Sequence, residues 1–431
     1  MSDPAQHPAS PAAPHQHAAF FRQSGWLMIA NIGGGGMFYL VHLLSKKISV
    51  AEYGAFGVML AVAMCVPNMP LQMVFAQQTA RALATGRERA LSGMIRLAWL
   101  GTFGLALLFA IAVIIWRTQI MDAWKLPSAA GLWITLGVVM FSFWLPMFMG
   151  LMQGQQNFFW LGWDTILNAA GRIAIAAVLV LFFGGASTQM IFGVCMGLAI
   201  AVGIGVWQTR GLWGLRAEPF NVRELLAQIV PLMLGFGAVQ FLFTADTMFV
   251  KAYFSSDESG FYVSAGTLSR ALLWLVLPLA TVMFPKLVHS RVKSEKSNLF
   301  GLVVLGTAGL SVCGAMGLWI IGPYVVKFVA HASDVAGTMA LIPWYAGAMV
   351  PLAMANVLVN DLLARGRFKV VPFMVLLAVA YCIILPQMLS HFPGHIELVL
   401  QILGVFNLLL FGVCALFTWG IKSQAGSAQQ K

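Results

Sequence analysis

Apolar runs close to twenty residues long recur from one end of this chain to the other, and they constrain its fold more than any motif does. A helix needs ~20 predominantly apolar residues to cross a bilayer. Twelve stretches reach that length, at approximately 25–44, 54–75, 97–116, 131–152, 162–184, 188–208, 229–250, 260–284, 299–321, 337–359, 371–390 and 398–420. The polar gaps between them are short, so no soluble catalytic or nucleotide-binding domain fits between two spans. Only 9% of the 431 residues are charged and 60% are hydrophobic, with a mean hydropathy of +0.85. A water-soluble fold of this size cannot cover its surface with so few charges. The expected fold class is therefore an all-α polytopic membrane protein of about twelve transmembrane helices.

The formal net charge is +11, yet the cations do not form a basic patch interleaved with aromatics, and no nucleic-acid partner is expected. They follow the loops instead. With the N-terminus inside, the cytoplasmic segments hold Arg22, Arg81, Arg87, Arg89, Arg96, Arg210, Arg216, Arg223, Lys286, Arg291, Lys293, Lys296, Arg365, Arg367, Lys369, Lys422 and Lys431. The opposite side holds Lys46, Lys47, Arg117, Lys125, Lys251 and Lys327. That asymmetry is the positive-inside pattern. It predicts a multi-pass membrane protein with both termini cytoplasmic. No GxxxxGK[ST] run is present, which argues against an ATP-driven engine in this chain. The five cysteines are far apart inside apolar runs and read as small core residues. His7, His15 and His17 lie in a Pro/Ala-rich N-terminal stretch with no rigid frame for a metal. No metal, cofactor or enzymatic activity is expected.

The chain contains an internal echo. Ser49-Val50-Ala51-Glu52-Tyr53-Gly54-Ala55-Phe56 follows the first span, and Ser255-Ser256-Asp257-Glu258-Ser259-Gly260-Phe261-Tyr262 follows the seventh. A weaker echo pairs Gln153-Gly154-Gln155-Gln156-Asn157-Phe158 with Arg365-Gly366-Arg367-Phe368. Two six-helix halves in one orientation follow. The expected organisation is a disordered cytoplasmic tail over 1–23, a bundle over 24–210, a cytoplasmic linker over 211–228, a second bundle over 229–421 and a tail over 422–431.

These residues carry a resemblance. The S-x-x-E-Y-G turn ending at Gly54, Gly154 before span five, Arg172 in G-R-I-A-I-A-A-V-L-V, and the stretch from Asp246 to Pro285 are similar to the multidrug/oligosaccharidyl-lipid/polysaccharide exporter superfamily. Within it the chain most resembles polysaccharide flippases of the O-antigen type, with an Asp in span seven and a Gly-x-Tyr-x-x-Ala opening span eight. The resemblance implies two six-helix bundles in a V around a central cavity and alternating access. It also implies a lipid-linked, anionic glycan as cargo, surface polysaccharide or lipopolysaccharide biosynthesis as the setting, and a monomer. A polysaccharide polymerase or synthase is a candidate partner.

Ionisable residues inside a membrane cost roughly 2.5–3.5 kcal/mol each even on the lenient insertion scale, and so face a cavity or a partner. Asp164, Asn168 and Arg172 recur every fourth residue and share one face of span five. Two readings of Arg172 stand side by side. It holds an anionic head group bidentately, or it bridges back to Asp164 through Asn168. For Asp164 the structural reading is preferred. Arg270 lies near the middle of span eight, where a cavity-facing role is expected. Asp246 on the preceding span neutralises Arg270, pairs with Lys251, or binds Na⁺ or a proton; the pairing role is preferred. Gly33, Gly34, Gly35 and Gly36 lie in span one either as a hinge or as a close-packing face. His42 receives no role.

The expected function is translocation of a lipid-linked oligosaccharide or polysaccharide precursor. The alternative is a cation-coupled drug or metabolite antiporter of the same superfamily. A membrane-embedded glycosyltransferase ranks last, because the outer loops are short and nearly uncharged.

Overall fold

A computed structural model of the protein describes residues 14–184, 186–292, 299–329 and 335–420. His7 and the tail 422–431, with Lys422 and Lys431, lie outside the described residues, as do Lys293 and Lys296. The described backbone is helical throughout, without strands. In chain order the helices are α1 (Pro14–Leu40), α2 (Val50–Met64), α3 (Asn68–Thr85), α4 (Glu88–Ala123), α5 (Ala129–Gly154), α6 (Phe158–Phe182) and α7 (Ser187–Gln208). A single turn, α8 (Arg210–Trp213), leads to α9 (Val222–Tyr253), α10 (Ser256–Val292), α11 (Leu299–Val329), α12 (Val335–Ala364), α13 (Val371–His391) and α14 (Ile396–Ala415).

Among the described residues, eleven helical stretches are long and apolar enough to span a membrane. The span expected at 260–284 falls within α10. Helices dominate because hydrocarbon offers no partner for backbone N–H and C=O groups, so each span must satisfy its own. Two details differ from the sequence reading. α1 begins at Pro14, inside the segment expected as a disordered tail. Proline is favoured at a first helical position and Ala18, Ala19, Phe20 and Phe21 continue the helix. The second span is two helices, since α2 ends at Met64 and α3 starts after Pro67. Proline has no N–H for the preceding turn and its ring crowds the chain, so the helix breaks there.

The first echo proves to be a helix start used twice. Ser49 accepts the Glu52 N–H at the head of α2. Ser255 accepts the Glu258 N–H at the head of α10, while Glu258 accepts the Ser255 N–H, a complete capping box. The two copies meet face to face. A Cβ on Gly54 would stand 2.9 Å from Ser259 Oγ and 3.0 Å from the Gly260 nitrogen. The hydrogen there lets α2 and α10 touch backbone to backbone, as small residues do between membrane helices.

The halves therefore join along α2, α3, α9 and α10. At the end bearing the two capping motifs the seam is dry: Lys251 is buried and Lys125 Nζ donates to the Phe254 carbonyl. At the other, basic end the seam is thin and wet. Gln228 meets Gln77 and Gln78, and Arg81 meets Glu224 at 3.8 Å with both side chains more than 60% exposed.

Candidate functional site

The polar groups expected inside the membrane are present, and the two halves treat them differently. In the C-terminal half, Asp246 of α9 is fully buried. Arg270 of α10 donates through Nη2 to Asp246 Oδ1 at 2.7 Å and to Thr247 Oγ1 at 2.8 Å, and through Nε to the Phe243 carbonyl at 2.9 Å. Asp246 Oδ2 accepts the Tyr262 hydroxyl at 2.8 Å and the Tyr345 hydroxyl of α12. The arginine side chain keeps 12% exposure, against none for its partner. Asp246 is thus fully engaged, and the guanidinium presents Nη1 as its remaining edge. Of the two cations considered for Asp246, the structure brings Arg270 to it.

Lys251 takes no part in that pair. Its Nζ lies 3.4 Å from the Ala51 carbonyl and 3.4 Å from Ser259 Oγ. Five helical residues turn a side chain by about 140°, which carries Lys251 to the far side of α9 from Asp246. It therefore belongs to the seam between the halves.

In the N-terminal half the stripe on α6 is buried but unpaired. Both carboxylate oxygens of Asp164, Oδ1 of Asn168 and Nε of Arg172 have no hydrogen-bond partner among the described residues. The Asp164–Asn168–Arg172 bridge is not made. Arg172 lies instead with its guanidinium carbon 4.3 Å from the centroid of the Phe38 ring, a cation–π contact from α6 to α1. α7 closes over its stem at Gly197, where a Cβ would come within 2.9 Å of the Arg172 backbone nitrogen and Cβ.

α1 runs as a helix through Gly33–Gly36. Gly34 packs on Thr165, which a Cβ would meet at 2.8 Å, whereas Gly33, Gly35 and Gly36 have nothing within 4 Å. One glycine of the four therefore serves close packing, and the other three leave that face of α1 open.

A cavity of about 40 Å³ lies where the halves meet, lined among others by Phe38, Tyr39, His42, Thr267 and Arg270. Arg270 reaches it directly, and Arg172 stands behind Phe38. The cavity is partly open and far smaller than a glycan, so passage of a whole lipid-linked sugar requires the halves to part.

The sequence reading missed the tyrosines. Tyr262, Tyr345 and Tyr381 are fully buried, the first two on Asp246. Tyr262 stands in the G-x-Y-x-x-A motif, but nothing near Tyr345 in sequence marks it. His42, given no role, lines the cavity and bonds Tyr53.

Comparison with known proteins follows the same lines. Residues 20–290 match the family model described as polysaccharide biosynthesis protein. No curated protein matches the sequence. The fold is similar to a multidrug resistance MATE family transporter of the MOP superfamily in its inward-facing conformation, with a TM-score of 0.71 at 9% identity over 94% of this chain and 98% of that one. It is similar to the lipid II flippase MurJ in an inward closed conformation, at 0.66 and 16% identity over 92% and 87%. For an outward-facing MATE transporter the score is 0.56 at 12% identity over 96% and 97%.

Proposed function

The chain belongs to the polysaccharide biosynthesis protein family of MOP-superfamily transporters, and on that premise we propose that it moves a lipid-linked oligosaccharide or polysaccharide precursor from the inner to the outer leaflet by alternating access. The observation that carries this reading is a pair of buried arginines, one from each half: Arg270 lines the cavity, and Arg172 stacks on Phe38, which lines it too. Guanidinium is the natural partner of a diphosphate or an acidic sugar. The cargo head group enters from the cytoplasmic side, drawn by the basic loops. Arg270 Nη1 and Arg172, once Phe38 swings aside, replace part of its lost hydration. The thin polar seam at the basic end parts to admit it, and the dry seam at the other end parts to release it. Gly33, Gly35 and Gly36 give α1 the freedom to bend during that exchange.

The setting is the bacterial cytoplasmic membrane, with both termini in the cytoplasm and a monomer as the working unit. A polymerase or synthase consumes the cargo, and O-antigen or a similar surface glycan is the product. A cysteine at Lys125 labels from outside and one at Lys293 only from inside; the reverse pattern overturns this orientation.

The alternative, a cation-coupled antiporter, draws on Asp164. An ionised carboxylate buried without a donor costs several kcal/mol, which a bound cation relieves. The two readings separate in a gene deletion. Loss of surface polymer with lipid-linked oligosaccharide accumulating inside supports the flippase and identifies the cargo by mass. Intact polymer with new sensitivity to cationic drugs supports the antiporter.

A further inference from the structure

The cavity contains a residue that the proposed transport cycle leaves unused. His42 lies in the turn Val41–Lys47 that continues α1, and it is 5% exposed. Its Nδ1 is 2.7 Å from the Tyr53 hydroxyl of α2. That hydroxyl is 3.3 Å from Thr267 Oγ1 of α10, and Thr267 donates to the Val263 carbonyl at 2.8 Å. The chain of contacts crosses from one half of the protein to the other.

Counting protons gives the chain a direction. Thr267 has one hydroxyl proton and directs it to Val263, so Thr267 accepts from Tyr53. Tyr53 also has one proton, so it cannot donate to His42 as well. All three bonds coexist only when His42 Nδ1 carries a hydrogen. If Nδ1 is bare, the Tyr53 hydroxyl turns to it, and the bond between the halves survives only where Thr267 gives up Val263 to donate to Tyr53.

The ring neighbours of His42 are Tyr39 of α1 and Tyr53 and Phe56 of α2. Arg172 of α6 acts on it electrostatically and Arg270 of α10 lines the same cavity, which has no carboxylate among its described lining residues. A third positive charge beside two guanidiniums is unfavourable. An anion in the cavity accepts hydrogen bonds only, so it needs a hydrogen on Nε2, the nitrogen that Tyr53 leaves free. A neutral ring supplies that hydrogen only by giving up the one on Nδ1.

We propose that His42 is a cargo-sensing residue: a diphosphate head group at the cavity draws the ring into its Nε2–H form, which turns the Tyr53 hydroxyl toward His42 and weakens the hold between the two halves. One proton leaves Nδ1 and one arrives at Nε2 through water at the cavity, and the charge of the ring is unchanged. The coupling rests on the anion-transport reading and adds to it a trigger for outward opening.

The test uses the full chain in lipid nanodiscs with inorganic pyrophosphate as the probe. Nitrogen NMR of ¹⁵N-histidine reports the tautomer, the His42 signal being identified by its loss in His42→Gln. Spin labels at Lys47→Cys and Asp257→Cys, in a background without the five native cysteines, report the separation of the halves. Pyrophosphate is expected to convert His42 from Nδ1–H to Nε2–H. It should raise the ratio of separated to closed molecules roughly two- to tenfold, the worth of one hydrogen bond. Tyr53→Phe should be shifted already and should not respond. Pyrophosphate that binds by calorimetry without moving the tautomer or the distance overturns the His42 coupling and leaves the cationic cavity standing. Absence of any binding overturns both.

Discussion

Arg172 and Arg270 look alike in the sequence: each is a lone arginine inside an apolar span, and each is a candidate for the same cargo. The structure gives them opposite surroundings. Arg270 is held by Asp246, Thr247 and the Phe243 carbonyl, with Tyr262 and Tyr345 securing the aspartate from two further positions. Arg172 has an aromatic ring for company and an Nε with no partner among the described residues. The C-terminal half has a neutralised cation with one edge free, and the N-terminal half has one with no counter-ion among the described residues, behind the Phe38 ring.

The contrast breaks most visibly at the aspartates. Asp246→Asn leaves Arg270 buried without its counter-ion and should cost ~3–5 kcal/mol, read as a fall in unfolding temperature in detergent. Asp164→Asn removes no hydrogen bond among the described residues and should not lower the unfolding temperature. Equal losses at both sites would erase the asymmetry.

Next in size is the support around Asp246. Tyr345→Phe deletes a bond to a charged acceptor and should destabilise by ~1.5–3 kcal/mol. Tyr381→Phe should change little, since its hydroxyl has no partner among the described residues. The same melting assay separates the two.

The dry seam is tested by Gly54→Ala. The added methyl meets Ser259 and the Gly260 backbone, and overpacking of this kind costs typically ~1–3 kcal/mol. A spin-label pair across the seam should show the halves pushed apart. Gly33→Ala, with open space around it, should show no such separation.

Smaller still is Phe38→Leu, which keeps the apolar bulk and removes the cation–π contact at Arg172, for a loss of ~0.5–2 kcal/mol. It should also quicken binding of pyrophosphate, because Phe38 screens the guanidinium. At the bottom of the scale, Glu224→Gln removes an exposed pair with Arg81 and should shift stability by under ~1 kcal/mol. A larger effect would mean that the basic end is closed more firmly than its exposure suggests.

Much of this architecture was legible in the residues. The twelve apolar runs each correspond to a helix or helix pair, because a segment that cannot hydrogen-bond to lipid has helix as its one local solution. The helices extend beyond the runs, as at α4 (Glu88–Ala123) against the expected 97–116, since polar ends continue a helix once it has started. The repeat around Gly54 and Gly260 was visible as a pattern, but not as a contact. The Asp246–Arg270 pair was anticipated from adjacent spans. Its tyrosines were not, since Tyr345 is 99 positions away in sequence from Asp246.

By itself, then, the sequence determined the solvent, the number and kind of elements, the two-half plan and the short inventory of charges that lipid makes costly. Tertiary structure alone decided which of those charges are neutralised. That difference has a physical cause. Hydrophobic length and backbone hydrogen bonding act along the chain and leave a local trace. The fate of a buried ion depends on groups within a few ångströms, supplied by whichever helices happen to pack there. Arg270 meets a carboxylate from α9 steadied by a hydroxyl from α12; Arg172 meets Phe38; and His42 meets, through Tyr53, the opposite half of the molecule.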